Sequence, residues 1–169
     1  MARFRLRFSP RRIERLAVEN PDPEVAETRL FGRLRGARTL PKKDLVALAR
    51  WKTPRSQRRV ASNAEGFVRA VTRAALTTPD ERLRIEVLTL LAGVDWPTAS
   101  VILHFCHRDP DPVLDIRALW SLGIEKPPRY DFAFWWEYTC TCRRLAARAS
   151  CSMRTLDRAL WQYSKQNQR

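Results

Sequence analysis

The feature that most constrains this chain is its punctuation. Proline-containing breaks recur at PDP (21–23), KTPR (52–55), DPDP (109–112) and KPPR (126–129), and the runs between them place apolar residues at helical spacing. Strict polar/apolar alternation occurs only in RFRLRF at 3–8, so residues 1–8 read as a basic N-terminal arm or a short strand. The rest predicts an all-α fold with short connections.

The helix starts carry their own chemistry. Ser9 before Pro10 opens a helix to about residue 20, because serine caps and proline tolerates the first helical positions. Further helices are expected at about 23–36 and 41–51, and from a capping Asn63 to 76. Asp80 begins one that carries LRIEVLTLL into a glycine turn. Pro97 opens PTASVILHFCH, apolar on more than one face and hence buried. Asp115 heads a short helix to 122, Asp131 caps a long one through FAFWWEYTCTCRRLAARA, and Ser152 starts the last, to about 165. With 169 residues and 44% hydrophobic content, the chain suffices for one compact helical domain spanning 1–169.

Lys and Arg total 32 against 18 Asp and Glu, a net charge of +14, which favours a polyanionic partner. No stretch has the length of a membrane span and no secretory signal is visible, so a cytoplasmic protein without membrane contact is expected. The charge is uneven. Arginine crowds the first sixty residues, while Asp80, Glu81, Glu86, Asp95, Asp109, Asp111 and Asp115 cluster in the middle. Cys106, Cys140, Cys142 and Cys151 have neither a disulfide framework nor zinc-ligand spacing, and no metal is expected. His104 and His107 lack a third ligand and read as packing or surface residues.

Two helices meet at LAGVDWPTA, where Gly93 permits a backbone angle other residues avoid and Pro97 fixes the next helix's first turn. A helix start of this kind presents backbone N–H groups to an anion, although an ordinary helix connection looks the same. Downstream, Asp115 stands inside the apolar PVLDIR. LAGVDWPTASVIL followed by PVLDIR resembles the helix-hairpin-helix and downstream aspartate of the endonuclease III and adenine glycosylase superfamily of DNA base-excision enzymes. That family's hairpin reads L-P-G-V-G-x-[K/S]-T-A. Leu91, Gly93, Val94, Thr98 and Ala99 match it within a hairpin region of 80–107, and Asp115 follows Pro97 by eighteen residues.

The resemblance implies a double-stranded DNA partner and a hairpin that grips its backbone through Gly93, Val94, Asp95, Trp96 and Thr98. It assigns Asp115 as the catalytic carboxylate. Pro97 replaces the lysine of bifunctional relatives, implying a monofunctional DNA N-glycosylase that releases a modified or mispaired base without nicking the strand. Asp95 replaces the second glycine and sets a negative charge where phosphate approaches. That departure keeps open a catalytically inactive DNA-binding module acting with a partner protein. The cysteine spacing departs from the family's iron–sulfur pattern, so no cluster is expected. Hairpin carbonyls in related proteins can hold a monovalent cation, and that remains open here. Outside the motif, Arg55, Arg58 and Arg59 are candidate phosphate contacts, and Trp51 with Lys52 candidate walls of a base pocket, with core packing the alternative for Trp51.

Overall fold

The computed structural model describes residues 4–20 and 25–168, with only the backbone described at 25–27. The PDP break and the expected helix start at Pro23 fall outside these residues. Among those described, about 68% are helical and none forms a strand. Ten α-helices follow one another: α1 (Ile13–Glu19), α2 (Val25–Leu34), α3 (Lys42–Lys52), α4 (Gln57–Ala61), α5 (Glu65–Thr77), α6 (Glu81–Glu86), α7 (Trp96–Cys106), α8 (Ile116–Ser121), α9 (Phe132–Arg148) and α10 (Met153–Asn167). Short 3-10 segments, Pro10–Arg12, Pro54–Ser56 and Val87–Leu90, extend α1, α4 and α6. No helix among the described residues is long and apolar enough to cross a membrane.

The chain divides into two compact units, Met1–Pro23 with Pro112–Arg169, and Glu24–Asp111. In the first, α10 packs against α1, α8 and α9. Its core gathers Ile13, Leu16, Leu119, Phe134, Trp135, Tyr138, Leu156 and Leu160, all essentially inaccessible. Side-chain to backbone bonds tie these helices together: Ser121 Oγ donates to Leu160 O at 2.6 Å, and Tyr138 OH to Val113 O at 2.7 Å. The arm at 4–8 forms no strand and pairs with a helix end. Arg5 N and Arg7 N donate to Leu122 O and Ser121 O at 2.8 and 2.9 Å, while Phe4 packs on Phe134 and Tyr138.

In the second unit, α3 contacts α4, α5 and α7, and α6 contacts α5 and α7. Every residue of α7 from Thr98 to Cys106 is buried, the outcome expected of its uninterrupted apolar and small side chains. Phe31 and Phe105 stack at 3.7 Å between centroids, and Trp51 meets both edge-on at 5.5 and 5.0 Å. This cluster joins α2, α3 and α7.

The expected caps hold where a carboxylate or hydroxyl reaches the third N–H of the helix. Asp80, Asp131 and Ser152 accept from Leu83 N, Phe134 N and Thr155 N at 2.7, 2.8 and 3.0 Å. Two expectations give way. Ser9 makes no capping hydrogen bond, and the N-cap of α5 is Ala64, one residue after Asn63, with the helix starting at Glu65.

Burial fixes the ionisation of Cys106, pushing its thiol up to about 12. An unfolded thiol ionises near about 8.5, so this stabilisation is complete below that pH and is lost as pH rises through the folded value. Between about pH 7.5 and about pH 10.5 the thiol removes on the order of 2 kcal/mol of stability. Urea unfolding of Cys106→Ala at both pH values should show a smaller difference than the unaltered chain; an unchanged difference excludes this origin.

Candidate nucleic-acid interface

The hairpin is assembled from α6, the 3-10 segment Val87–Leu90, a turn and α7. Leu91 N donates to Leu88 O at 3.2 Å and Val94 N to Leu91 O at 3.0 Å, closing successive tight turns around Gly93 at φ +80°. A Cβ at Gly93 would sit 2.9 Å from Arg59 Cβ and 3.0 Å from Val60 N. Glycine is required here twice over, for its backbone angle and for the close approach of α4.

Asn63 locks this approach. Its side-chain amide donates to Val60 O at 2.8 Å and to Ala92 O at 3.0 Å, and its oxygen accepts from Ala92 N at 2.9 Å. Both polar groups of one turn residue are thereby held by a single buried amide. Sequence reasoning assigned Asn63 to a helix cap. No local pattern marks a contact across twenty-nine residues.

The Gly93 turn thus lies directly beside α4, with consequences for the arginines. Arg55 in the preceding 3-10 segment and Arg58 and Arg59 in α4 are exposed, and none forms an ion pair with another described residue. The structure brings these predicted phosphate contacts together with the hairpin on one unit. Within the hairpin, Val94 and Thr98 bury their side chains, so only their backbones are candidates for contact. Gly93 and Trp96 are half-buried and Asp95 is exposed.

Asp95 caps α7 by accepting from Thr98 N at 3.0 Å. Pro97 brings no N–H, so the helix start retains fewer unoccupied donors than an uncapped one, and a carboxylate already balances its dipole. Ala92 O and Leu91 O each already accept a hydrogen bond. Positive potential at this surface therefore comes from the arginine side chains, with little from the helix end.

Asp115 belongs to the other unit. It is half-buried and caps α8, accepting from Arg117 N at 2.9 Å. The Arg117 guanidinium lies 5.2 Å above Trp161, whose ring also meets Lys165 Nζ at 5.1 Å. The carboxylate is thus held at the start of α8 by a backbone N–H.

Trp51 is half-buried in the Phe31–Phe105 cluster, the core role held open for it, and Lys52 follows it half-buried at the end of α3. His104 and His107 are buried and organise the DPDP loop, with Nδ1 atoms 2.7 Å from Asp111 O and Asp109 O. Among the described residues no group of three or more His, Cys, Asp or Glu is placed to hold a metal ion. All four cysteines are unpaired thiols.

Comparison with protein-family models, curated proteins and solved structures gives no match.

The hairpin geometry makes a stability prediction. Asn63→Ala removes the side-chain partner of the Ala92 N–H and C=O and one of the two donors to Val60 O, and should cost about 2–3 kcal/mol in urea unfolding, whereas Asn63→Asp, which still accepts from Ala92 N, should cost less. Gly93→Ala should cost at least as much as Asn63→Ala, since it imposes both strain and overlap. A Gly93→Ala variant of unaltered stability contradicts the close packing of turn and α4.

Proposed function

We propose that the chain binds double-stranded DNA and acts as a monofunctional DNA N-glycosylase of the helix-hairpin-helix type. The observation that carries the binding half is the packing of α4 on the Gly93 turn at Arg59, with exposed Arg58 in the same helix and Arg55 in the 3-10 segment before it, none of the three ion-paired among the described residues. Guanidiniums in this setting grip phosphate oxygens without reading sequence, and the turn offers backbone at close approach.

Support for the catalytic half is the motif register together with the placement of Asp115, half-buried and hydrogen-bonded at the start of α8. Loss of a base leaves an oxocarbenium-like sugar, which a fixed carboxylate stabilises while it takes a proton from the attacking water. The C1′–N bond breaks, a C1′–O bond forms, and the base departs with the bonding electrons and gains a proton. Pro97 has no amine to form a Schiff base, so the strand stays intact and an abasic site is the product. A second reading, a DNA-binding module without turnover, is favoured by one feature: Asp95 holds negative charge and occupies the Thr98 N–H where the hairpin would meet phosphate.

Duplex affinity should fall steeply with salt, and replacing Arg55, Arg58 and Arg59 with Gln should reduce the slope of log K against log salt by about 2–3. A flat response excludes a phosphate-contacting surface. Incubation with duplexes carrying damaged bases, followed by alkali, tests turnover. Asp115→Asn should lower base release by at least about a hundredfold while duplex affinity changes less than about twofold. Full release by that variant removes Asp115 from the mechanism, and binding without release by the unaltered chain supports the module.

A further inference from the structure

A second basic and aromatic site lies wholly within the unit formed by the two ends of the chain, and it does not rest on the hairpin reading. Arg5, Leu6, Arg7, Trp120, Gly123 and Tyr163 line an open cleft of about 510 Å³. That is within the range of roughly 300–1,000 Å³ typical of small-molecule sites. Gly123 makes the cleft possible. At φ +87° its missing Cβ would lie 3.2 Å from Arg5 O, so only glycine lets the arm run this close to the end of α8.

The side chains are held in place before any ligand arrives. Arg7 Nε donates to Trp120 O at 2.7 Å and Nη2 to Glu125 Oε1 at 2.9 Å, which sets its guanidinium 4.4 Å over the Trp120 ring. Tyr163 OH donates to Arg7 O at 3.2 Å, and its ring centroid is 5.9 Å from that of Trp120. Arg12 adds a third guanidinium 5.7 Å from the Tyr163 ring. Arg5 is exposed and forms no ion pair among the described residues. Two arginines lining one cleft with an indole and a phenol match an anion that carries a flat aromatic group.

We infer that this cleft binds a nucleotide, its phosphate held by Arg5 and Arg7 and its base packed against Trp120 and Tyr163. The shared chemistry is a phosphate monoester attached to a base, supplied either by a free mononucleotide or by the 5′-phosphorylated end of a DNA strand. Glu125 competes with the phosphate for Arg7, so its charge opposes binding.

Calorimetric titration of the full chain with deoxyadenosine 5′-monophosphate tests the site. Saturable binding is expected, weakened at least about fivefold in Arg5→Gln and tightened about twofold in Glu125→Gln. Arg148→Gln, an exposed arginine at the end of α9, should change it less than about twofold and so controls for general charge. Inorganic phosphate should bind at least about tenfold more weakly, because it lacks the group that packs on the rings. Hexadeoxyadenylate with and without a 5′-phosphate separates the sources. Tighter binding of the phosphorylated oligonucleotide than of the monophosphate identifies a strand end, and the reverse identifies a free nucleotide. Absence of saturation with every probe overturns the inference. So does phosphate binding as tightly as the nucleotide, or an equal loss in Arg148→Gln. Among the described residues Arg5 is bonded to the fold through its backbone N–H to Leu122 O, and the Gln variant keeps that contact.

Discussion

Asn63 holds together the parts of the chain on which the hairpin depends. Its one amide satisfies the N–H and C=O of Ala92 and also the carbonyl of Val60, so the glycine turn and α4 share a single buried polar connector. Removing water from a peptide group costs free energy unless a partner replaces it. Here the partner comes from outside the turn, so the turn keeps its shape only while α4 is in place. Gly93 completes the arrangement by omitting the atom that would collide with Arg59 and Val60. The arginines on α4 are therefore registered against the hairpin by the hydrogen bonding and packing that form the turn itself.

The acidic middle of the sequence has a structural explanation that composition alone concealed. Asp80, Asp95 and Asp115 each cap a helix, Glu81 pairs with Arg84, Glu86 with Arg82, and Asp109 with Arg108. These carboxylates serve helix ends and local pairs. A polyanion approaching α4 meets chiefly Asp95 as a charge of the wrong sign at the hairpin, and that charge is partly offset by the N-terminal dipole of α7. The same residue that supports the helix thus sets a negative charge at the hairpin surface.

Local chemistry was legible wherever the cause was local. Asp80, Asp131 and Ser152 lie three residues from the N–H they bind, and the uninterrupted apolar run of α7 announced its burial. Asn63 was misread because a cap and a long-range tie use the same side-chain amide, and the sequence does not name the distant partner. The break at KTPR concealed α4, a helix of only five residues, since proline signals an end and a start with the same letters. The alternation of RFRLRF suggests an arm or a short strand, and among the described residues 4–8 no strand forms. The arm's hydrogen-bonding partner is the end of α8, more than a hundred residues away, which no periodicity encodes. The cleft beside that arm was invisible for the same reason, since Arg5 and Arg7 meet Trp120 and Tyr163 only after folding.

A net charge of +14 counts every guanidinium alike, but the fold does not use them alike. Arg35 donates to the carbonyls of His104 and His107 at the end of α7, Arg84 to Thr78 O and Arg158 to Asn20 O, and Arg33 forms a two-point pair with buried Asp44. These arginines close helix ends and join elements, as five-donor forks are suited to do. A donor committed to a carbonyl must break that bond before it can hold a phosphate. What marks an arginine as fully available to an anion is therefore the absence of an internal acceptor, and Arg5, Arg55, Arg58 and Arg59 meet that condition among the described side chains, whereas Arg7 commits Nε and Nη2 internally and would offer its remaining Nη1. Arg5 is in the unit built from the chain ends, whereas Arg55, Arg58 and Arg59 are in the unit that carries the hairpin. Affinity for a polyanion should accordingly follow these few positions more closely than total charge, because they gain a partner on binding without losing one.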